Sequence, residues 1–230
     1  FETDITEKHN ISVGASFNHD YYDERFNPLG TLPKAESKVT KETTPGLYAQ
    51  YTYKLGDKLT VMPGVRWDHS NLYGSFFTPR LHIKYSPSKI VTLRTSIGKG
   101  YRSPHALAEN VTLLASGREI VIDSDLKQEE AWNMGASLGF NIPLFGKNLE
   151  LNAEYYYTDF KHQMIMNFDG AKGNHTLSFE NLDGKSYSHT FQVDATYSLF
   201  NGMSATAAFR LNDVKCTYDG KLRQKPLTSR

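Results

Sequence analysis

The chain has 230 residues, 39% hydrophobic and 13% aromatic, with 26 Lys and Arg against 25 Asp and Glu. The formal net charge of +1 supplies no basic excess for nucleic acid. A single cysteine, Cys216, excludes an intramolecular disulfide and any multi-thiolate metal site, and no run approaches the roughly 20 apolar residues of a transmembrane helix.

Taken in chain order, the segments alternate with a period of two. Ile11, Val13, Ala15 and Phe17 begin the pattern. Thr44–Leu55 sets Leu47, Ala49, Tyr51, Tyr53 and Leu55 against Tyr48, Gln50, Thr52 and Lys54. Leu59–Trp67 sets Leu59, Val61, Val65 and Trp67 against Thr60, Gly64 and Arg66, and Phe77–Tyr85 sets Phe77, Leu81, Ile83 and Tyr85 against Thr78, Arg80, His82 and Lys84. Val91–Ile97 follows, with Arg94 on its polar side. Four more runs repeat the pattern around Trp132–Phe140, Leu149–Tyr157, Phe191–Leu199 and Met203–Leu211. Strict alternation of this kind predicts β-strands with one apolar and one polar face.

The links between these strands alternate in length. Gly56–Lys58, Ser86–Lys89, Ile142–Lys147 and Phe200–Gly202 are short, whereas Asp20–Thr43, Asn71–Phe76, Gly100–Gln128 and Asn167–Thr176 are long or polar. In an antiparallel meander, alternate links lie at opposite ends of the sheet, so one end is trimmed and the other carries loops. Several strands reach the roughly 9–11 residues that a tilted strand needs to cross a hydrocarbon core. A soluble β-sandwich is the rival reading. Tyrosines and tryptophans near strand ends and loops confined to one end favour a transmembrane barrel, with apolar residues toward lipid and polar residues toward the lumen. The expected fold is all-β, an antiparallel meander of about nine strands; because single-chain barrels usually have an even number, either the count is off by one strand or the sheet is an arc of a larger barrel, which the lack of an aromatic final strand favours.

Thr60–Asn110 resembles the barrel core of TonB-dependent outer-membrane receptors. The matching positions are Pro63, Gly64, Arg66 and Asp68; Thr78, Pro79 and Arg80; Leu93 and Arg94; then Gly98, Gly100, Arg102 and Pro104. Leu126 and Glu129 match a later L-x-P-E segment, where Gln128 replaces the proline. The Ala153–Ile165 strand and the Phe179–Ser186 segment, with Asn181 and Gly184, follow in the family's order, while His189–Gln192 departs from its G-x-E pattern. The resemblance covers residues 44 to 215. It implies a barrel of about 22 strands around a plug, located in the cell outer membrane of a Gram-negative bacterium.

On that resemblance, residues 1–230 form a partial barrel domain without the plug or the TonB box. The whole receptor is expected to import a scarce small-molecule ligand, such as an iron-siderophore, haem, cobalamin or a saccharide, driven by the TonB energy-transducing complex acting on the plug. The lipid bilayer is the other partner, nucleic acid is not, and no cofactor is expected. Arg66, Arg80, Arg94 and Arg210 share the polar face; they hold plug carboxylates through two-point hydrogen bonds or form a structural ladder balanced by Asp68, Glu150 and Glu154.

Tyr21, Tyr22 and Arg25, in a first loop that also holds Phe26, Pro28 and Gly30, and Tyr101, Arg102 and His105, in the Gly100–Gln128 link, are the external ligand-binding candidates. Tyr101–His105 resembles the FRAP box of haem receptors, but Asp123–Leu126 matches their downstream NPDL-like box only in part. Met164 and Met166 read as lipid-facing or packing residues, and the Asn10, Asn110 and Asn174 triplets as chance. No H-E-x-x-H, G-x-S-x-G or P-loop spacing is present, so no metal site and no enzyme are expected. A passive porin or adhesin is the first alternative. A rim hydrolase using Asp68 with His69, or Asp159 with His162, is the second, and it requires adjacent residues to overcome their opposite orientation on a strand.

Overall fold

The computed structural model describes residues 1–26, 36–114, 118–167, 176–218 and 220–225. The chain opens with β1 (Glu2–Thr6), β2 (His9–Phe26), β3 (Glu36–Leu55), β4 (Leu59–Ser70), β5 (Gly74–Tyr85) and β6 (Val91–Arg102). A short 3-10 turn (Ala108–Asn110), α1 (Val111–Leu114) and β7 (Glu119–Ile122) come next. Then follow β8 (Glu129–Leu144), β9 (Lys147–Lys161), β10 (Met164–Asn167), β11 (Thr176–Asn181), β12 (Ser186–Phe200), β13 (Met203–Tyr218) and β14 (Lys221–Gln224).

The main sheet has 11 strands in the order β1-β2-β3-β4-β5-β6-β8-β9-β12-β13-β14. Every neighbouring pair in it is antiparallel. All the strands expected from alternation are present, and most run longer than the pattern predicts; β2 and β3 reach 18 and 20 residues. The two added strands, β1 and β14, have 5 and 4 residues, too few to display a period.

A second sheet pairs β10-β11-β7, with β11 parallel to β7. Thr176, Leu177 and Phe179 of β11 are all buried, so this strand carries no two-faced signal. Leu177 and Phe179 are 0% exposed and, with Ala106, form a small core packed against Ile120, Ile122, Leu126 and Met164. Met164 is therefore a packing residue. The strand expected over Ala153–Ile165 ends at Lys161, because His162 adopts a φ of 52° and the chain restarts as β10.

The links divide as expected, with two corrections: residues 20–26 and 36–43 of the first long link belong to β2 and β3, and Asn71–Phe76 is not a long loop. It shrinks to a turn at Asn71–Tyr73, closed by the Ser70 hydroxyl, which accepts from the N–H groups of Leu72 and Tyr73. At the trimmed end, Phe145 and Gly146 both have positive φ, 48° and 74°, which suits a two-residue hairpin between Leu144 and Lys147. The tips of the first and fourth long loops, including Pro28, Gly30 and Asn174, lie outside the described residues.

Among the described residues, no other layer seals the apolar face. Leu47, Trp67, Phe77 and Phe209 remain 57%, 43%, 58% and 61% exposed on it. The buried apolar cluster lies in the small loop-end sheet instead. A soluble sandwich would bury this face under a second sheet; a bilayer explains its exposure. On β5, Phe77 and Tyr85 bracket the band. They are about 27 Å apart along the strand at about 3.4 Å per residue, or about 20 Å after a tilt of about 40°, close to the band of an outer-membrane barrel.

Candidate functional site at the loop end

On β4, Arg66 and Asp68 share the polar parity. Arg66 donates to both Asp68 oxygens, Nε to Oδ2 at 2.7 Å and Nη2 to Oδ1 at 2.6 Å, and Nη2 also donates to Ser16 Oγ at 2.6 Å. Asp68 is 0% exposed, so its charge depends on this fork. Gly46, directly across on β3, makes room: a Cβ there would collide with the Asp68 carboxylate. Pairing of β5 with β6 stops at Arg80 and Gly98, and beyond it Tyr101 stacks on the inward Phe76 ring at 4.8 Å.

After Arg102 the chain leaves the wall and crosses its polar face. Ser103 donates to Glu42 Oε1 on β3 at 2.9 Å, and the same oxygen accepts from Ser70 on β4 at 2.7 Å. His105 lies against the Tyr22 ring on β2 at 4.2 Å, and the Ala108 N–H donates to Glu24 Oε1 at 2.9 Å. Residues 103–110 thus form a strap from β6 to β2, four strands away. Because Ser103 donates to Glu42, it must accept from Gln128 Nε2, 2.8 Å away. That fixes the amide orientation and leaves the buried Gln128 Oε1 without a hydrogen-bond partner. Tyr73, in the β4–β5 turn, is pushed above the usual tyrosine range by burial and then by the negative Glu42.

The small sheet sits on this strap, and Ala106 belongs to its core. Arg102 clamps the strap base by pairing with Glu129 and, at 3.1 Å, with Glu109. Glu129 also accepts from the Met164 N–H at 2.7 Å, tying β10 to the same point. Asn181 donates to the carbonyls of His162 (2.7 Å) and Lys127 (3.2 Å) and accepts from the Lys127 N–H (2.6 Å). Gly184 has a φ of 145° and lies where a Cβ would be 2.5 Å from Thr217. Both motif residues of the Phe179–Ser186 segment therefore have local structural tasks.

The loop-end candidates separate accordingly. Tyr22, Tyr101, Arg102 and His105 line the strap or its base. Tyr21 takes the opposite parity, outward, with Lys41 Nζ 5.6 Å from its ring centroid. The backbone of Arg25 lies in β2, and its side chain is outside the described residues. Of the wall arginines, Arg66 holds Asp68, Arg80 donates to Gln50 at 2.8 Å and Arg210 to Asn212 at 3.3 Å, whereas Arg94 faces a recess. Sequence reasoning missed Glu24, Glu42, Ser70 and Ser103. Only the Gln128 departure from the family pattern hinted at this network.

The arrangement does not assemble hydrolytic groups from the paired candidates. Asp68 is buried on the polar face, while His69 is exposed on the other, beside Ser75 and Trp67. Asp159 pairs with Lys161 at 3.1 Å. Among the described residues, no cluster of His, Cys, Asp and Glu can hold a metal ion.

Residues 1–229 match the family model described as "TonB dependent receptor-like, beta-barrel". The iron-regulated outer membrane virulence protein of Vibrio cholerae is 23% identical over 160 residues, which is 68% of this chain and 23% of that protein. The ferrienterobactin receptor of Escherichia coli is 27% identical over 122 residues, 48% of this chain and 16% of the receptor. The chain thus spans about a quarter or less of these relatives. The FrpB iron transporter of Neisseria meningitidis (F5-1 variant) superposes with a TM-score of 0.69 at 16% identity, covering 97% of this chain and 37% of that one. The chain belongs to the TonB-dependent receptor β-barrel family, and its sheet is part of the wall of an outer-membrane barrel.

Proposed function

We propose that this chain is the wall, with its loop-end strap, of an active importer that takes up an iron-carrying small molecule, a ferric siderophore in the first instance. One observation carries the reading: a continuous sheet, apolar outward and polar inward, whose loop-end strap folds across the polar face rather than away from it. A strap in that position narrows the mouth and presents Tyr22, His105 and Arg102 beside the entry path. The printed names of the relatives, a ferrienterobactin receptor and an iron transporter, support iron-bearing cargo. They are receptors and transporters, which supports a non-enzymatic role.

In this reading a plug fills the lumen, TonB pulls on that plug, and residues 1–230 supply the barrel part of the machine. The wall contributes rigidity, since neighbouring strands satisfy one another's backbone groups within the sheet rather than leaving them to lipid.

Uptake of radiolabelled ferric siderophores by iron-limited cells carrying the whole receptor tests this. Accumulation that stops when the proton gradient is collapsed, or when TonB is deleted, is expected. Uptake that continues unchanged under both treatments would mean passive diffusion and would overturn the proposal.

A further inference from the structure

The turn half of the polar face is charged in a different way from the loop end. Following the register across the strands, Lys54 on β3 faces Thr60 on β4, Thr60 faces Lys84 on β5, and Lys84 faces Arg94 on β6. Three cations therefore lie in one row across four strands, with Lys84 and Arg94 directly opposite each other. Like charges in that position destabilise a sheet. Among the described residues, no ion pair or hydrogen bond holds the side chain of Lys54, Lys84 or Arg94. The row continues through Ser137 to Glu154 on β9, two strands beyond Arg94 and so about 10 Å away in backbone terms. That carboxylate is not paired with either cation.

Above the row the wall is hollow. Lys84, Arg94, His82, Met62, Tyr156 and Glu154 surround a recess of about 470 Å3, open toward the lumen. Its floor is low because Ser96 and Gly135 are small, and the Tyr156 ring lies flat over Gly135, where a Cβ would collide with it. Lys54, His82, Lys84 and Arg94 are all exposed on the lumen side of this recess. An oxyanion between Lys84 and Arg94 turns a repulsive pair into a two-sided clamp, with the flat guanidinium offering two parallel donors and the ammonium a third.

The geometry points to an anion seat formed by Lys84, Arg94 and His82, extended by Lys54, that holds carboxylates of the polypeptide filling the barrel. This rests on the importer reading and sharpens it. The plug would be anchored in the turn half, through the Lys54, Lys84 and Arg94 row, rather than through Arg66, which Asp68 already holds. Charge complementarity sets the partner: an acidic segment running across the strands, with carboxylates about 5–10 Å apart to match one or two strand spacings.

The test uses the whole receptor in the outer membrane of intact cells. Lys84→Gln/Arg94→Gln and Lys84→Glu/Arg94→Glu are compared with the parent for passive entry of a large antibiotic that the intact membrane excludes. The reversed pair is expected to raise entry about tenfold and the neutral pair a few-fold, since like-charge contact costs more than a lost attraction, while heat-modifiable gel mobility shows that both barrels fold. Parental levels of entry in both folded variants would overturn the seat. A chemical-shift titration of the His82 ring in the plug-bearing receptor with inorganic phosphate separates the rival source. No shift is expected; a saturable shift at millimolar phosphate would mean that the recess is vacant and takes a free ion, overturning the polypeptide occupant. A parent that already admits the antibiotic freely would sink the importer reading instead.

Discussion

The two halves of the polar wall solve the problem of inward charge in opposite ways. At the loop end, Arg66 is closed by Asp68 and Ser16, Arg102 by Glu129 and Glu109, and Glu42 by two serine hydroxyls. In the turn half, Lys54, Lys84 and Arg94 stand in a row with no carboxylate among them. In the first region each of these charges is closed by partners within the wall; in the second the three cations find none there. Charge alone does not separate these cases, since both are rich in arginine and lysine. The register does.

Substitutions should divide along the same line. The largest effect is expected in the loop-end cap. Phe179→Ala removes a fully buried ring from a core of few residues and should cost the cap about 3–5 kcal/mol. Limited proteolysis should then cut near residues 103–128, while the main sheet keeps its resistance; parental proteolysis would mean that the cap does not depend on this core. Arg66→Ala comes next. It leaves the buried Asp68 without a cation, held only by the Tyr101 hydroxyl, and should destabilise the barrel by about 2–4 kcal/mol, less than a wholly buried pair because Arg66 is 34% exposed. Urea unfolding in detergent measures this, and a change within error would show that water satisfies Asp68.

Gly46→Ala should cost about 1–3 kcal/mol in the same assay by displacing the Asp68–Arg66 fork. The smallest effect has the opposite sign. Lys84→Gln relieves the face-to-face repulsion with Arg94 and should stabilise the isolated wall by about 0.2–1 kcal/mol. A loss of stability comparable to that of Arg66→Ala would erase the distinction between the halves.

Much of the fold was legible because period-two alternation and link length report directly on the two faces and two ends of a meander. The hydrocarbon side could be read from residues such as Leu47, Trp67 and Phe209, and the structure leaves those residues uncovered. The small sheet was not legible: a strand buried on both faces, like Thr176–Asn181, has no alternation to show, and its parallel pairing with Glu119–Ile122 joins segments more than 50 residues apart. The candidate site was half visible. Motif positions such as Arg102 and His105 pointed to the strap, but Glu24 and Glu42 lie on strands distant in sequence and gain their meaning only when the strap crosses to them. Lys84 was in plain view on the polar parity of its strand. What hid it was the need to line up four strands before its position opposite Arg94 emerged.

The extra length of β2 and β3 has a consequence for the cell surface. Their ladder continues nine residues past Phe17, to Phe26 opposite Glu36, about 30 Å of strand beyond an outward ring that still belongs in the bilayer. His19 meets Thr43 on one side of this ribbon, and Tyr22 leans on the strap from the other. A macromolecule approaching from the loop side would meet that braced hairpin before it reached the strap, so the ribbon stands as a fence around one side of the mouth.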